Sequence, residues 1–251
     1  MDRYSPVCRV VALRAEGPRR VVVAVRRAGG YGQAVRRERL GSEAWLVQPL
    51  YVLVELLVAA AASAAYSLRD DTISSLGQLT CTPGHVGSTV AVCSPGHVVL
   101  DVAFVVFGLL RVLGAVLLHP SLPAGWTRTA ATGLWVVSGL CSAAVGLVPV
   151  DQRPALHALV AAPVFVLQPL AVLATAETLR RTRGAVPSWV VTSGLAAGSV
   201  TLVAATALGL GLGAEVWVGG LERLALWPAY LWLGGAGAAL LVRSRRLSAA
   251  S

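Results

Sequence analysis

The chain has 251 residues, of which 56% are hydrophobic and 13% charged, and its mean hydropathy is +0.71; soluble domains are about half apolar and about a quarter charged, so this composition excludes an ordinary soluble domain and indicates a polytopic membrane protein. The formal net charge of +9 comes from arginine alone, since the sequence contains no lysine, a bias that suits a GC-rich genome. No basic stripe with interleaved aromatics occurs, which argues against a nucleic-acid partner, and the four cysteines form no close CxxC pairs of the zinc-binding kind.

Residues 1–43 carry ten arginines, including the pairs Arg19/Arg20, Arg26/Arg27 and Arg36/Arg37, against Asp2, Glu16, Glu38 and Glu43. The apolar stretch Val21–Val25 is too short, and too closely hemmed by arginine, for the core of a signal peptide. Three readings fit: a basic tail drawn to anionic lipid, a disordered leader, or translation assigned from too early a start. We take residues 1–43 as a disordered cytoplasmic leader, 44–246 as an all-α bundle of six transmembrane helices, and 247–251 as a cytoplasmic tail.

The first span is predicted from Leu46 to Tyr66, long enough at about 1.5 Å per residue to cross a core of about 30 Å. An external loop follows over residues 67–96, with Asp70/Asp71, Ser74/Ser75 and the similar turns Thr82-Pro83-Gly84-His85 and Ser94-Pro95-Gly96-His97. The remaining spans are expected at His97–Leu118, Ala130–Val148, Leu156–Ala176, Trp189–Gly213 and Leu224–Val242. Pro163 and Pro169 would kink the fourth span beside Gln168, and the glycines of helix five and of Gly234-Gly235-Ala236-Gly237 read as close helix packing.

Short cytoplasmic loops hold the excess of positive charge. Placing the amino terminus inside puts the leader, Arg128, Arg180, Arg181, Arg183, Arg243, Arg245 and Arg246 in the cytoplasm, and leaves only Arg69, Arg153 and Arg223 outside. Both termini are therefore expected to be cytoplasmic, in the cell membrane. The same orientation places Cys81 and Cys93 outside, where oxidising conditions permit a disulfide, while Cys141 reads as a packed small residue and Cys8 as a solvent-side thiol.

Ionisable groups in hydrocarbon are costly and usually face a protein interior or a wet cavity. Asp101 lies about 6 Å below the outer end of helix two. His157 begins helix four after Asp151, and Glu222 and Arg223 begin helix six, so these residues form an outer cluster with Ser74 and His97. Asp101 and His157 are the candidate acid–base pair, and Ser74, His97, Asp151, Glu222 and Arg223 the candidate ligand contacts. Carboxylates at helix starts also serve as caps, which fits Glu222 and Asp151. His97 and Asp101 share a helix face at the spacing two metal ligands would use, but no HExxH-type signature accompanies them, and neither a metal nor another cofactor is expected. Deeper down, Glu55 at about 16 Å, Arg111 at about 21 Å and Gln168 at about 18 Å from the outer ends are expected to meet, with Glu55 and Arg111 as a structural ion pair.

Ile73-Ser74-Ser75-Leu76-Gly77 after the first span, Gly146-Leu147-Val148-Pro149-Val150-Asp151 followed by Leu156-His157, and Gly220-Leu221-Glu222-Arg223 before the last span together resemble the bacterial membrane family called domain of unknown function 998, over roughly residues 46–242. Ser74, Asp151, His157, Glu222 and Arg223 match its motifs, whereas Ser75 stands where that family has an acid and Asp101 where Asn is usual. The resemblance implies six helices and no particular activity. The function expected is binding or handling of a lipid-like or amphiphilic small molecule in an outward-facing polar pocket. An intramembrane enzyme acting on a lipid or isoprenoid by acid–base chemistry, and an accessory or structural membrane subunit, are the alternatives; membrane lipid is the expected partner.

Overall fold

The computed structural model describes residues 28–63, 65–83, 89–181, 186–212 and 217–249; Cys8, His85 and Arg183 lie outside them. Seven helices account for most of the chain: α1 (Ala28–Leu46), α2 (Leu50–Ala61), α3 (His97–Leu118), α4 (Trp126–Leu147), α5 (Pro154–Arg180), α6 (Ser188–Gly209) and α7 (Val218–Ala249). They supply six stretches long and apolar enough to cross a membrane, the first of them, Gly32–Ala61, combining α1 and α2. With six spans, both ends of the described chain lie on one face of the bundle. The opposite face carries residues 62–63, 65–83, 89–96, 148–153, 210–212 and 217 and is called the loop face below.

The first span breaks where Pro49 lacks an N–H to donate. Gln48 donates to the Trp45 carbonyl at 3.2 Å and Tyr51 to the Gln48 carbonyl at 3.1 Å, the tight i to i−3 pattern of a 3₁₀ turn. Helix α1 begins at Ala28, so the latter part of the segment read as a disordered leader is helical. Its sequence carries Glu38, Ser42 and Trp45 on one face, and burial of these against α7 and α3 holds the helix where propensity alone would not. Glu38 lies 3.5 Å from Arg243, Ser42 caps back onto the Glu38 carbonyl, and the Trp45 indole donates to the Arg111 carbonyl at 3.4 Å.

The spans form a ring in which each packs on its sequence neighbours and α7 closes against α1. Close approaches are made by glycine. A Cβ on Gly139 would lie 2.6 Å from the Gly108 carbonyl across the α3–α4 contact, and one on Gly237 would lie 2.7 Å from the Ser42 carbonyl across the α1–α7 contact. Two apolar clusters fill the ring. Trp45, Leu118, Trp135, Val172, Leu179 and Leu233 belong to the half nearer the termini, and Tyr51, Leu76, Leu100, Phe104, Phe107 and Tyr230 to the half nearer the loop face.

The long loop is ordered by short elements. A 3₁₀ turn spans Ile73–Gly77, capped by Thr72, whose side chain accepts from the Ser75 N–H. Two short strands, β1 (Thr82–Pro83) and β2 (Ala91–Val92), pair antiparallel. Cys81 and Cys93 close them as a disulfide. Ser63 then ties this hairpin to the end of α2, donating its N–H to the Cys93 carbonyl at 2.9 Å.

Candidate functional site

The charged residues of α7 are placed one turn inside the helix, because α7 starts at Val218 and not at Leu224 as the hydropathy suggests. Arg223 is 5% exposed and serves as a hub. Its Nη1 donates to the carbonyls of Leu68 (2.6 Å), Asp71 (3.0 Å) and Gly219 (3.0 Å), and its Nη2 to the Tyr66 hydroxyl. Its Nε lies 3.0 Å from the Glu55 carboxylate, a charge contact out of hydrogen-bond alignment. Glu55 is fully buried and also accepts from the Trp227 indole at 2.8 Å. The neighbouring Glu222 accepts from the Ile73 N–H at 2.6 Å. Burial pushes the Tyr66 phenol above its ordinary range, against the pull of Arg223, so it stays a neutral hydroxyl.

These contacts correct the expected ion pair. Glu55 pairs with Arg223, not with Arg111. Glu55 is six residues from the end of α2 and Arg223 five from the start of α7, depths of about 9 and about 8 Å, whereas Arg111 lies about 21 Å from the start of α3. Counting from Tyr66 overestimated the depth of Glu55, because the helix stops at Ala61.

Arg111 is wholly buried and is held differently, with its Nε and Nη2 lacking a hydrogen-bond partner among the described residues. Its Nη1 donates to Gln168 Oε1 at 2.6 Å and to Ser138 Oγ at 3.4 Å, while Gln168 donates to the Leu226 carbonyl at 3.2 Å. The guanidinium lies 4.6 Å from the centre of the Tyr230 ring and 5.8 Å from that of Trp135. Gln168 therefore meets Arg111 as expected, and rings supply the negative face that a carboxylate was expected to provide.

The outer cluster divides by role. His157, 7% exposed, holds its ring between the Val148 carbonyl (Nδ1, 2.6 Å) and Ser74 Oγ (Nε2, 2.9 Å); Asp101, the expected partner, does not touch it. Asp151 accepts from the N–H groups of Leu79 (3.1 Å) and Thr80 (2.9 Å) and from the Thr80 hydroxyl (2.7 Å). Partial burial opposes ionisation of Asp151, but the Thr80 and Leu79 donors outweigh it and hold the carboxyl below the usual range. His97 faces the Ser94 carbonyl at 3.0 Å. Asp101 is half-buried and, among the described residues, its carboxylate accepts no hydrogen bond. It sits under Gly77, where a Cβ would lie 2.6 Å from its Oδ1, and its backbone packs on Gly146.

Most of the expected site residues thus fasten the loop to the helix ends: the candidate ligand contacts Glu222 and Arg223 from α7 and Asp151 from the α4–α5 connection, and the candidate base His157 from α5. Tyr66, Thr80 and Trp227 were missed by sequence reasoning, since no spacing distinguishes an aromatic or a threonine that meets a charge from one that meets lipid. Among the described residues no cluster of three or more His, Cys, Asp or Glu could hold a metal.

Two openings adjoin this region. One is a groove of about 550 Å³ on the outside of α7, lined by Leu224, Trp227, Pro228 and Leu231, with Arg69, Trp217 and Arg223 at its loop-face end. The Arg69 guanidinium lies 5.4 Å from the centre of the Trp217 ring and 3.0 Å from Asp70. The other is a cavity of about 20 Å³ among the spans, where Ser74, Ser142 and Glu222 meet Phe104, Phe165 and Tyr230.

A family model described as "Protein of unknown function (DUF998)" matches residues 46–239. No curated protein and no solved structure matches the chain.

Proposed function

The chain belongs to the DUF998 family of membrane proteins, and we propose that within this fold it binds an amphiphilic, lipid-like molecule at the loop face, with that face outward and both termini cytoplasmic. The groove beside α7 carries this reading. Leu224, Trp227, Pro228 and Leu231 offer an apolar wall for a hydrocarbon chain, and Arg69 with Trp217 offers a cation and an amphipathic ring at the depth of a headgroup. Pro228, inside α7, lines the wall and removes one backbone hydrogen bond of the helix there. Arg223 joins the groove to the buried network, so occupancy of the groove bears directly on the residue that holds the loop. By contrast, a groove of similar size along α3, lined by Val106, Leu109, Val112 and Leu113, has no polar rim and suits ordinary lipid tails.

Native mass spectrometry of the protein extracted from membranes tests the reading. The wild type is expected to retain lipid-mass adducts, and Leu224→Trp or Leu231→Trp, both at exposed positions that a larger ring can fill, should lower their abundance several-fold. Adduct levels unchanged in both variants would refute it.

A further inference from the structure

Beyond amphiphile binding, we propose that Ser74 is a nucleophile and His157 its base, acting on an acyl ester presented at the loop face. The Ser74 Oγ lies 2.9 Å from His157 Nε2, and His157 Nδ1 lies 2.6 Å from the Val148 carbonyl oxygen. A carbonyl can only accept, so Nδ1 carries a proton; in the uncharged ring, the form that acts as a base, the lone pair sits on Nε2 and the Ser74 hydroxyl donates to it. That is the arrangement that activates serine: a hydroxyl aimed at a base whose tautomer is fixed by a third group. His157, in the first turn of α5, is 7% exposed, so its orientation is set by packing as well as by the carbonyl. Ser74 itself is half-buried. It borders the cavity of about 20 Å³, room for about one water, whose walls are mostly apolar but which also carries Ser142 and Glu222.

The reaction follows from these atoms. Ser74 Oγ bonds to the ester carbonyl carbon while its proton passes to His157 Nε2; the tetrahedral adduct collapses, the bond to the alkoxy oxygen breaks, and the alcohol leaves with the proton from Nε2. A water from the Ser74–Ser142–Glu222 cavity then attacks the acyl-serine, giving a proton to Nε2. The bond to Ser74 Oγ breaks, Oγ recovers that proton, and a carboxylic acid is released. The sum is ester plus water to acid plus alcohol, with no redox change. A carbonyl in place of the third-position carboxylate orients the ring without neutralising the imidazolium, so the pair should react more slowly than a full triad.

A fluorophosphonate probe, incubated with the full chain in detergent and mapped by peptide mass spectrometry, tests the assignment. The expected result is an adduct on Ser74 that is absent in Ser74→Ala and forms about 100-fold more slowly or worse in His157→Gln, the effect of losing a positioned base. Failure of the wild type, with its disulfide intact, to acquire the adduct at Ser74 overturns the proposal, as does labelling of His157→Gln at the wild-type rate. Because the wild type alone decides the first outcome, misfolding of a variant does not blunt the test. Loss of the lipid adducts in Leu224→Trp with unchanged probe labelling separates the groove from the nucleophile, whereas a wild type that retains its lipid adducts but acquires no probe would sink the nucleophile while leaving the groove.

Discussion

At the scale of the residue, Arg223 is the group whose removal should be felt most. Two carboxylates, Glu55 and Glu222, are buried within its electrostatic reach, and the guanidinium also satisfies two loop carbonyls, the Gly219 carbonyl of its own helix and the Tyr66 hydroxyl. Breaking a buried pair by deleting one partner costs about 3–5 kcal/mol, since the other charge is left uncompensated. Glu55→Gln keeps an acceptor for the Trp227 indole and leaves Arg223 with Glu222 nearby, so it should fall at or below the low end of that range. Arg223→Met strands both carboxylates and orphans the loop carbonyls, and should reach the high end or beyond. Thermal unfolding in a fixed detergent checks the order, and a Glu55→Gln protein less stable than Arg223→Met would contradict it. Which arginine Glu55 meets was hidden from the sequence for a definite reason. Its depth depends on where the helix stops, and the alanine-rich tail after Ala61 remains apolar while leaving the helix.

At the scale of the element, the loop of residues 62–96 is held by side chains from three separate parts of the chain, and Asp151 is the fastening that pH can undo. Its carboxyl is held below the ordinary aspartate value of about 4 in the folded protein, so the folded state prefers the ionised form. The stability it contributes is present above the unfolded value and is lost as pH falls from about 4 through the folded one. Amide exchange at Leu79 and Thr80 should accordingly show protection that declines over that acid range relative to the rest of the loop. Asp151→Asn, which retains one acceptor oxygen without the charge, should weaken the protection at neutral pH and flatten its acid dependence; an unchanged profile would remove Asp151 from the role. The three motifs that carry this fastening were legible as motifs, and the helix His97–Leu118 was legible to the residue because Gly96 and the apolar run bound it on both sides. Their meeting was not legible: Ser74 and His157 are 83 residues apart, and neither spacing nor hydropathy reports such a contact.

At the scale of the whole molecule, the proposed orientation is supported by both the arginine distribution and the disulfide. The charge bias favours an outward loop face by the rule that cytoplasmic connections are the basic ones. The Cys81–Cys93 bond belongs to that same face, and disulfides persist where the compartment is oxidising. If the face were cytoplasmic, both thiols would be kept reduced and the hairpin would lose a cross-link worth about 3 kcal/mol for a loop of this length. Intact cells treated with a membrane-impermeant reductant, followed by an impermeant maleimide, should therefore show labelling of Cys81 and Cys93 after reduction and none before it. Cys141, within α4, should stay unlabelled until the bilayer is dissolved. Labelling of the pair without prior reduction would leave the loop outside but remove the bond, whereas labelling only after permeabilisation would invert the bundle. The inverted case would also carry the α7 groove and the Ser74–His157 pair to the cytoplasmic leaflet, so this measurement fixes which leaflet's amphiphiles and esters the loop face can meet.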